Sequence, residues 1–305
     1  MSLRLKVLLG FTIICLIWGS SWAAVKIGIE SVPPLLSLGI RFTLASVILG
    51  LIVFVKHLQV PKGRKFWTLV FIMCGTSFTV PFMLIYWAQL RVGSGLASVL
   101  FATYPFWVAI VSHVLLPNEK ITPVRIIGIL IGFLGVIFIF NSGFSDISIN
   151  IVYGMAAIIV GAIIQAFGLV YLRRLGEHAH PVTLNFCSMS LSAVPLLVAG
   201  FVFEDYSNII FNARSIGAIV YLSIFCTVIT FVIYFWLVKH VEAVILSLSA
   251  LLTPVIAVVI GVIVMGEKIT NNMFIGSALV LIGVAFALIG DIVALDRQGM
   301  KKEYS

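Results

Sequence analysis

The chain has 305 residues, of which 62% are hydrophobic and only 10% charged, with a formal net charge of +8. A typical soluble chain is roughly 45–50% apolar and about 25% charged. No soluble domain of this size hides so much apolar surface, so the solvent for most of the chain is lipid.

A helical span needs about 20 apolar residues, and ten such runs follow one another: 7–29, 35–55, 66–87, 95–116, 124–140, 151–172, 182–203, 216–238, 243–265 and 273–289. Their length and lack of period-two alternation exclude strands. The first follows Arg4 and Lys6 but is longer than a signal-peptide core, which is about 7–15 residues. It reads as an uncleaved span. Almost nothing is left for a soluble module, so the basic charge has no folded face for nucleic acid. Cys15, Cys74, Cys187 and Cys226 all lie in apolar runs, with no CxxC spacing, and read as packing residues.

Lys and Arg set orientation. With a cytoplasmic N-terminus, 14 of the 19 fall inside, 4 outside (Lys26, Arg91, Arg214, Lys268), and Arg41 lies within a span. Both termini are therefore expected in the cytoplasm, with the basic loops facing the anionic lipids of that leaflet.

The chain also repeats itself. Glu119-Lys120-Ile121-Thr122 recurs as Glu267-Lys268-Ile269-Thr270, and Gly128, Gly135 and Val136 recur as Gly276, Gly283 and Val284. Pro105 and Trp87 have counterparts in Pro254 and Trp236. Two five-helix halves follow, 1–145 and 146–290, with a cytoplasmic tail at 291–305. Because five is odd, the second half enters the membrane inverted. The expected fold is an all-α integral membrane protein of ten transmembrane helices in two inverted five-helix repeats, an architecture that places a transporter's site between the halves near the midplane.

Polar groups within spans are costly, so each needs a reason. Arg41 lies six residues into the second span. It either contacts an anionic substrate or serves structure, by snorkelling or tying helices together with Glu30, and the structural reading is favoured. Lys26 and Glu30 read as an interfacial pair, and His113 as an interfacial residue. Glu177-His178-Ala179-His180 has no further ligands nearby and does not read as a metal site. No carboxylate sits in mid-span, and Asp291 lies at a helix end, so proton or sodium coupling through intramembrane acids is disfavoured. Pro105 after Thr103-Tyr104, and Pro254 after Leu252-Thr253, are matched helix kinks, a sequence pointer to a transport cavity. Trp18 lies deep in the first span, while Trp22 suits an interfacial belt. Tyr86, Gln165, Tyr234 and Ser247 are further polar groups in spans, for which interhelical bonding and ligand contact both stand. Glycines at 128, 132 and 135, and at 276, 283 and 290, read as packing seams of the fifth and tenth helices, with a homodimer through these helices as an expectation.

The order of Trp18-Gly19-Ser20-Ser21-Trp22, Pro33-Pro34, Arg41-Phe42, Ala102-Thr103-Tyr104-Pro105, Glu119-Lys120-Ile121-Thr122, Thr253-Pro254 and Glu267-Lys268 resembles the drug/metabolite transporter superfamily, in particular an EamA-domain permease. The resemblance spans the whole chain. It implies secondary transport of small metabolites, often amino acids and often export, across the cytoplasmic membrane. It also implies a cavity lined by helices one, three, four, six, eight and nine, which adds weight to Trp18, Tyr86, Tyr104, Gln165, Tyr234, Ser247 and Thr253 as substrate-binding residues. The partners expected are a small-molecule substrate and membrane lipids. No catalytic residue, metal or cofactor is expected. The alternatives are a channel, for which no polar pore lining is visible, and an intramembrane enzyme acting on a lipid or prenyl substrate, for which no reactive cluster is visible. The span at 151–172 lacks a counterpart of Trp18-Gly19-Ser20-Ser21-Trp22, so the two halves are not expected to build the site symmetrically.

Overall fold

The computed structural model describes residues 3–115, 123–140, 148–176, 179–207, 209–238 and 249–286. Among them the regular structure is all helical. The helices are α1 (Leu3–Gly28), α2 (Pro34–Val55), α3 (Arg64–Gln89), α4 (Ser94–Leu115), α5 (Pro123–Phe140), α6 (Ile149–Leu175) and α7 (Pro181–Phe203). They continue as α8, built from Ala213–Ser223, Ile224–Ile229 and Thr230–Val238, then α9 (Ser249–Met265) and α10 (Asn271–Phe286). Among the described residues seven helices are long and apolar enough to cross a membrane, and shorter apolar helices fill 126–138, 252–265 and 271–286.

The helix ends follow local chemistry. Pro34 opens α2 after Pro33, where a missing N–H costs nothing because it lacks an intrahelical partner anyway. Asn212 caps α8, its side chain accepting the Ser215 N–H at 2.8 Å. Two long helices carry an inserted π segment in their middle, Cys74–Thr79 in α3 and Ile224–Ile229 in α8. These segments begin 150 residues apart, at 74 and 224.

Packing is tightest where glycine removes a side chain. α2 lies along α7, with Gly39 against Leu197 and Gly50 against Phe186. α1 crosses α9 at Gly19, where a Cβ would fall 2.6 Å from Ile256 Cβ. α5 and α10 meet each other within one chain: a Cβ on Gly135 would lie 2.6 Å from the Gly276 carbonyl, and one on Gly283 would lie 2.5 Å from the Gly128 carbonyl. The expected glycine seams are thus two faces of a single intramolecular contact. Large apolar residues such as Leu51, Phe54, Phe71, Val198 and Phe203 stay on the outside, which is unfavourable in water and favourable against lipid acyl chains. Cys15, Cys187 and Cys226 are buried and Cys74 is half-buried, all as free thiols.

Candidate functional site

α1, α4 and α8 bring together three of the expected site residues. Trp18 of α1 packs on Tyr234 of α8, ring centroids 5.5 Å apart. Tyr104 of α4 stacks on Phe101 at 5.6 Å with rings nearly parallel, and Phe101 meets Trp22 of α1 at 5.4 Å. The Tyr104 and Tyr234 phenols lie within electrostatic reach of each other and of Arg173, at the end of α6. Aromatic pairs at these separations are favourable beyond their buried area. The result is an aromatic wall with phenol tips that joins α1, α4 and α8.

α4 is built to break beside this wall. Its helix stops at Phe101 and restarts at Tyr104. Thr103 Oγ1 donates to the Leu100 carbonyl at 2.7 Å and accepts from Trp107 Nε1 at 3.3 Å. Pro105 then falls in the first turn of the second segment, where it is well tolerated. Its counterpart behaves differently. α9 runs unbroken through Pro254, and α1 lies close against it there: the Thr253 carbonyl would lie 3.2 Å from a Cβ on Gly19. Thr253 thus lies at the α1 crossing, and Pro254, an expected kink, lies inside a continuous helix.

The other expected site residues separate. Tyr86 is fully buried and belongs to a polar cluster around Arg41. Arg41 reaches from α2 to α3 and α8. Its Nη1 donates to Tyr86 Oη, while Nε and Nη2 both donate to Thr227 Oγ1, each bond 3.2 Å. Its partner is not Glu30, which pairs at 3.7 Å with Arg214. Gln165 of α6 carries a buried Oε1 with no hydrogen-bond partner among the described residues. Ser247 lies outside the described residues, as do Glu119-Lys120-Ile121-Thr122, Glu177, His178 and Asp291.

One end of the bundle is held by a carboxylate whose role in the repeated motif was not visible from the sequence. Gly266 leaves α9 with φ +65°, and the Glu267 N–H bonds back to the Gly261 carbonyl at 3.0 Å. This turn aims the Glu267 carboxylate at the start of α4. Oε1 accepts the Ser94 N–H at 2.6 Å and the Ser94 hydroxyl at 2.7 Å, and Oε2 accepts the Gly95 N–H at 3.0 Å. A Cβ on Gly93 or Gly261 would come within 2.8 or 2.6 Å of Oε2, so glycine is what makes room for it. A carboxylate here satisfies unpaired N–H groups and complements the positive helix end. At the same end Lys26 Nζ donates to the Gln89 and Val92 carbonyls, at 2.5 and 3.3 Å, and lies within electrostatic reach of Glu267 and Glu30. Lys26 thus reaches Glu30 only electrostatically and is held instead by backbone carbonyls, in a cluster joining α1, α3, α4 and α9.

Glu204, just after α7, treats α2 in the same way, accepting the N–H groups of Leu35 and Leu36 at 2.7 and 2.9 Å. Burial pushes its carboxyl above the usual 4.5, and these two bonds pull it part of the way back. Glu204 borders a cleft of about 780 Å³ between the α1–α2 loop, α3 and the end of α7.

Comparison with known proteins gives the family. The EamA-like transporter family matches at residues 5–141 and 152–289. The transporter YoaV of Bacillus subtilis (strain 168) is 31% identical over 282 residues, covering 92% of this chain and 95% of its own. PagO of Salmonella typhimurium is 29% identical over 92% of this chain and 91% of its own. The inner membrane transporter YedA of Escherichia coli (strain K12) is 27% identical over 90% and 88%. A solved crystal structure shares the fold with a TM-score of 0.69 at 22% identity, covering 96% of this chain and 99% of that one. The chain therefore belongs to the EamA-like transporter family of the drug/metabolite transporter superfamily, and it is a multi-pass membrane transporter rather than an enzyme.

Proposed function

We propose that the protein is a secondary transporter that moves small metabolites, amino acids or related amphipathic compounds, across the cytoplasmic membrane by alternating access, with export as its direction. The observation that carries this reading is the Trp18–Tyr234 and Tyr104–Phe101 wall, assembled from three helices beside the break in α4. Such a wall binds by shape, stacking and cation–π contact. Gln165 supplies an unpaired acceptor for a solute N–H, and Thr253 and Ser247 supply hydroxyls.

Ten membrane helices in two inverted halves, 1–145 and 146–290, are part of the proposal. The repeated Glu-Lys-Ile-Thr motif supports it, and so do the π segments 150 residues apart. α6 also starts at the end of the bundle where α3 finishes, with Gly154 against Val92 and Arg91. The bias in Lys and Arg supports cytoplasmic termini. A homodimer formed through the outer faces of α5 and α10 completes the proposal, those faces carrying exposed Leu130, Leu134, Ile275 and Ile282.

Counterflow in proteoliposomes tests the central claim. Vesicles preloaded with unlabelled amino acid are expected to accumulate the labelled compound above empty-liposome controls. Failure of every amino acid and amphipathic amine, with folded protein, overturns the reading. Single-channel conductance in planar bilayers overturns it in favour of a channel.

A further inference from the structure

Arg41 is 5% exposed and holds a permanent positive charge in the interior of the bundle. A buried guanidinium is ordinarily matched by a carboxylate, because an uncompensated charge in a low-dielectric interior is costly. Among the described residues no carboxylate lies within 4.0 Å of Arg41. The acids described there, Glu30, Glu204, Asp205 and Glu267, all sit beyond the helix ends. Its hydrogen-bond partners are two neutral hydroxyls, and its carbon faces the Phe82 and Phe42 rings at 5.1 and 5.8 Å. Ring contacts and neutral acceptors hold the group in place without balancing its charge.

The hydroxyls are arranged to orient the guanidinium. Thr227 lies in the π segment of α8 and sends its own proton to the Leu222 carbonyl at 2.9 Å, so its lone pairs face Arg41. It takes two of the five N–H groups and Tyr86 takes a third. Among the described residues one N–H on each terminal nitrogen is left over, and two N–H groups are what a planar oxyanion accepts from arginine. π segments recur at functional sites, and both π segments of this chain border the cluster. Phe78 of the α3 segment packs edge-on against Phe42, and Thr227 belongs to the α8 segment. The cluster also reaches α1. Cys226, beside Thr227, contacts Tyr221, whose hydroxyl is 2.7 Å from Ser20 Oγ, two residues from Trp18.

We propose that Arg41 is the anchor for the acid group of the transported solute, a carboxylate in the first instance, and that the aromatic wall takes the rest of the molecule. This rests on the transport reading above and narrows its substrate class to solutes with a free acid. The protein carries the cation, and the solute supplies the missing anion.

The test is counterflow with paired solutes: neutral amino acids and short aromatic monocarboxylates against their own primary amides and methyl esters. Wild-type protein is expected to carry the acids at least about tenfold more efficiently than the amides, as for loss of one member of a buried charge pair. Arg41→Gln is expected to erase that ratio, and Arg41→Lys to restore part of it. Thr227→Val keeps the charge and removes two of its three guides. It is expected to raise KM for the acids while leaving the amides unchanged, a split that a general packing defect does not produce. Size-exclusion profiles and thermal unfolding of each variant report on folding, and if Arg41→Gln does not fold, the Lys and Val variants decide. Equal transport of acids and amides by wild type, with the same ratio in Thr227→Val and Arg41→Lys, overturns the anchor while leaving the transporter intact. Transport of neither series by folded wild type overturns the anchor, and if amphipathic amines fail as well it overturns the transport reading too.

Discussion

Replacing Glu267 by Gln keeps the side-chain shape and removes its charge. The carboxylate accepts three hydrogen bonds at 2.6, 2.7 and 3.0 Å, two of them from backbone N–H groups at the start of α4. A bond to a charged acceptor contributes about 1.5–3 kcal/mol, against about 0.5–1.5 for a neutral one. An amide also turns an NH2 toward one of the two N–H donors and leaves it unpaired, which costs about 1–3 kcal/mol when buried. Glu267 is half-buried, so solvent returns part of this, and the expected loss is about 2–4 kcal/mol. Reversible unfolding in mixed micelles measures it. Ser94→Ala alone is expected to cost about 1 kcal/mol. In the Glu267→Gln background it should cost measurably less, because the two residues share a bond. The same substitution loosens the end of the bundle where α1, α3, α4 and α9 meet. A cysteine at Val92, buried in the native protein, should then react faster with a membrane-impermeant maleimide. A Glu267→Gln variant within about 0.5 kcal/mol of wild type, additive with Ser94→Ala, would refute the reasoning.

Trp18→Ala is expected to raise KM in counterflow about tenfold through loss of the Tyr234 contact and the wall behind it, with Trp18→Phe retaining most of the affinity; matched expression and KM against kcat check this. Gly135→Ala drives a methyl into the α10 backbone and is expected to cost at least about 1–3 kcal/mol. Gly217→Ala, in α8 with nothing within 4 Å, is expected to be neutral or to stabilise by up to about 1 kcal/mol; thermal unfolding of the pair separates close packing from helix propensity. Glu204 has a folded-state carboxyl raised above 4.5, so the folded protein binds its proton more tightly than the unfolded chain does. Stability from this group is present in acid and is lost as pH rises from about 4.5 through the folded value. Glu204→Gln is expected to flatten that slope in unfolding measured across the carboxylate range.

Lipid as solvent, the helical class, the approximate span positions and the family were all legible in the order of residues. The first three are properties of single helices, apolar length above all; the family was legible as a resemblance carried by the order of the motifs along the chain. Trp18, Tyr104 and Tyr234 stood in the sequence among seven candidates, with interhelical bonding as good an account of Tyr234 as ligand contact, and only the packing of α1, α4 and α8 brought these three together. Their neighbours Phe101 and Arg173 carried no such signal. The π segments left no mark in the sequence at all, and without them nothing marked Thr227 as a partner of Arg41. The glycines around Glu267 come from two distant stretches, 93–95 and 261, so only their meeting in space gave them meaning.

The sequence by itself determined that the chain is an apolar, helical membrane protein, because hydropathy depends on local composition, and the order of its motifs carried the resemblance to this family. The tertiary structure alone decided that Arg41 turns to Tyr86 and Thr227 rather than Glu30. It also decided that the α5 and α10 glycines face each other, that Pro254 stays within an unbroken helix, and that Glu267 closes onto α4. These outcomes depend on which helix faces meet. That choice is set by close packing and by the need to satisfy every buried polar group across contacts more than a hundred residues apart.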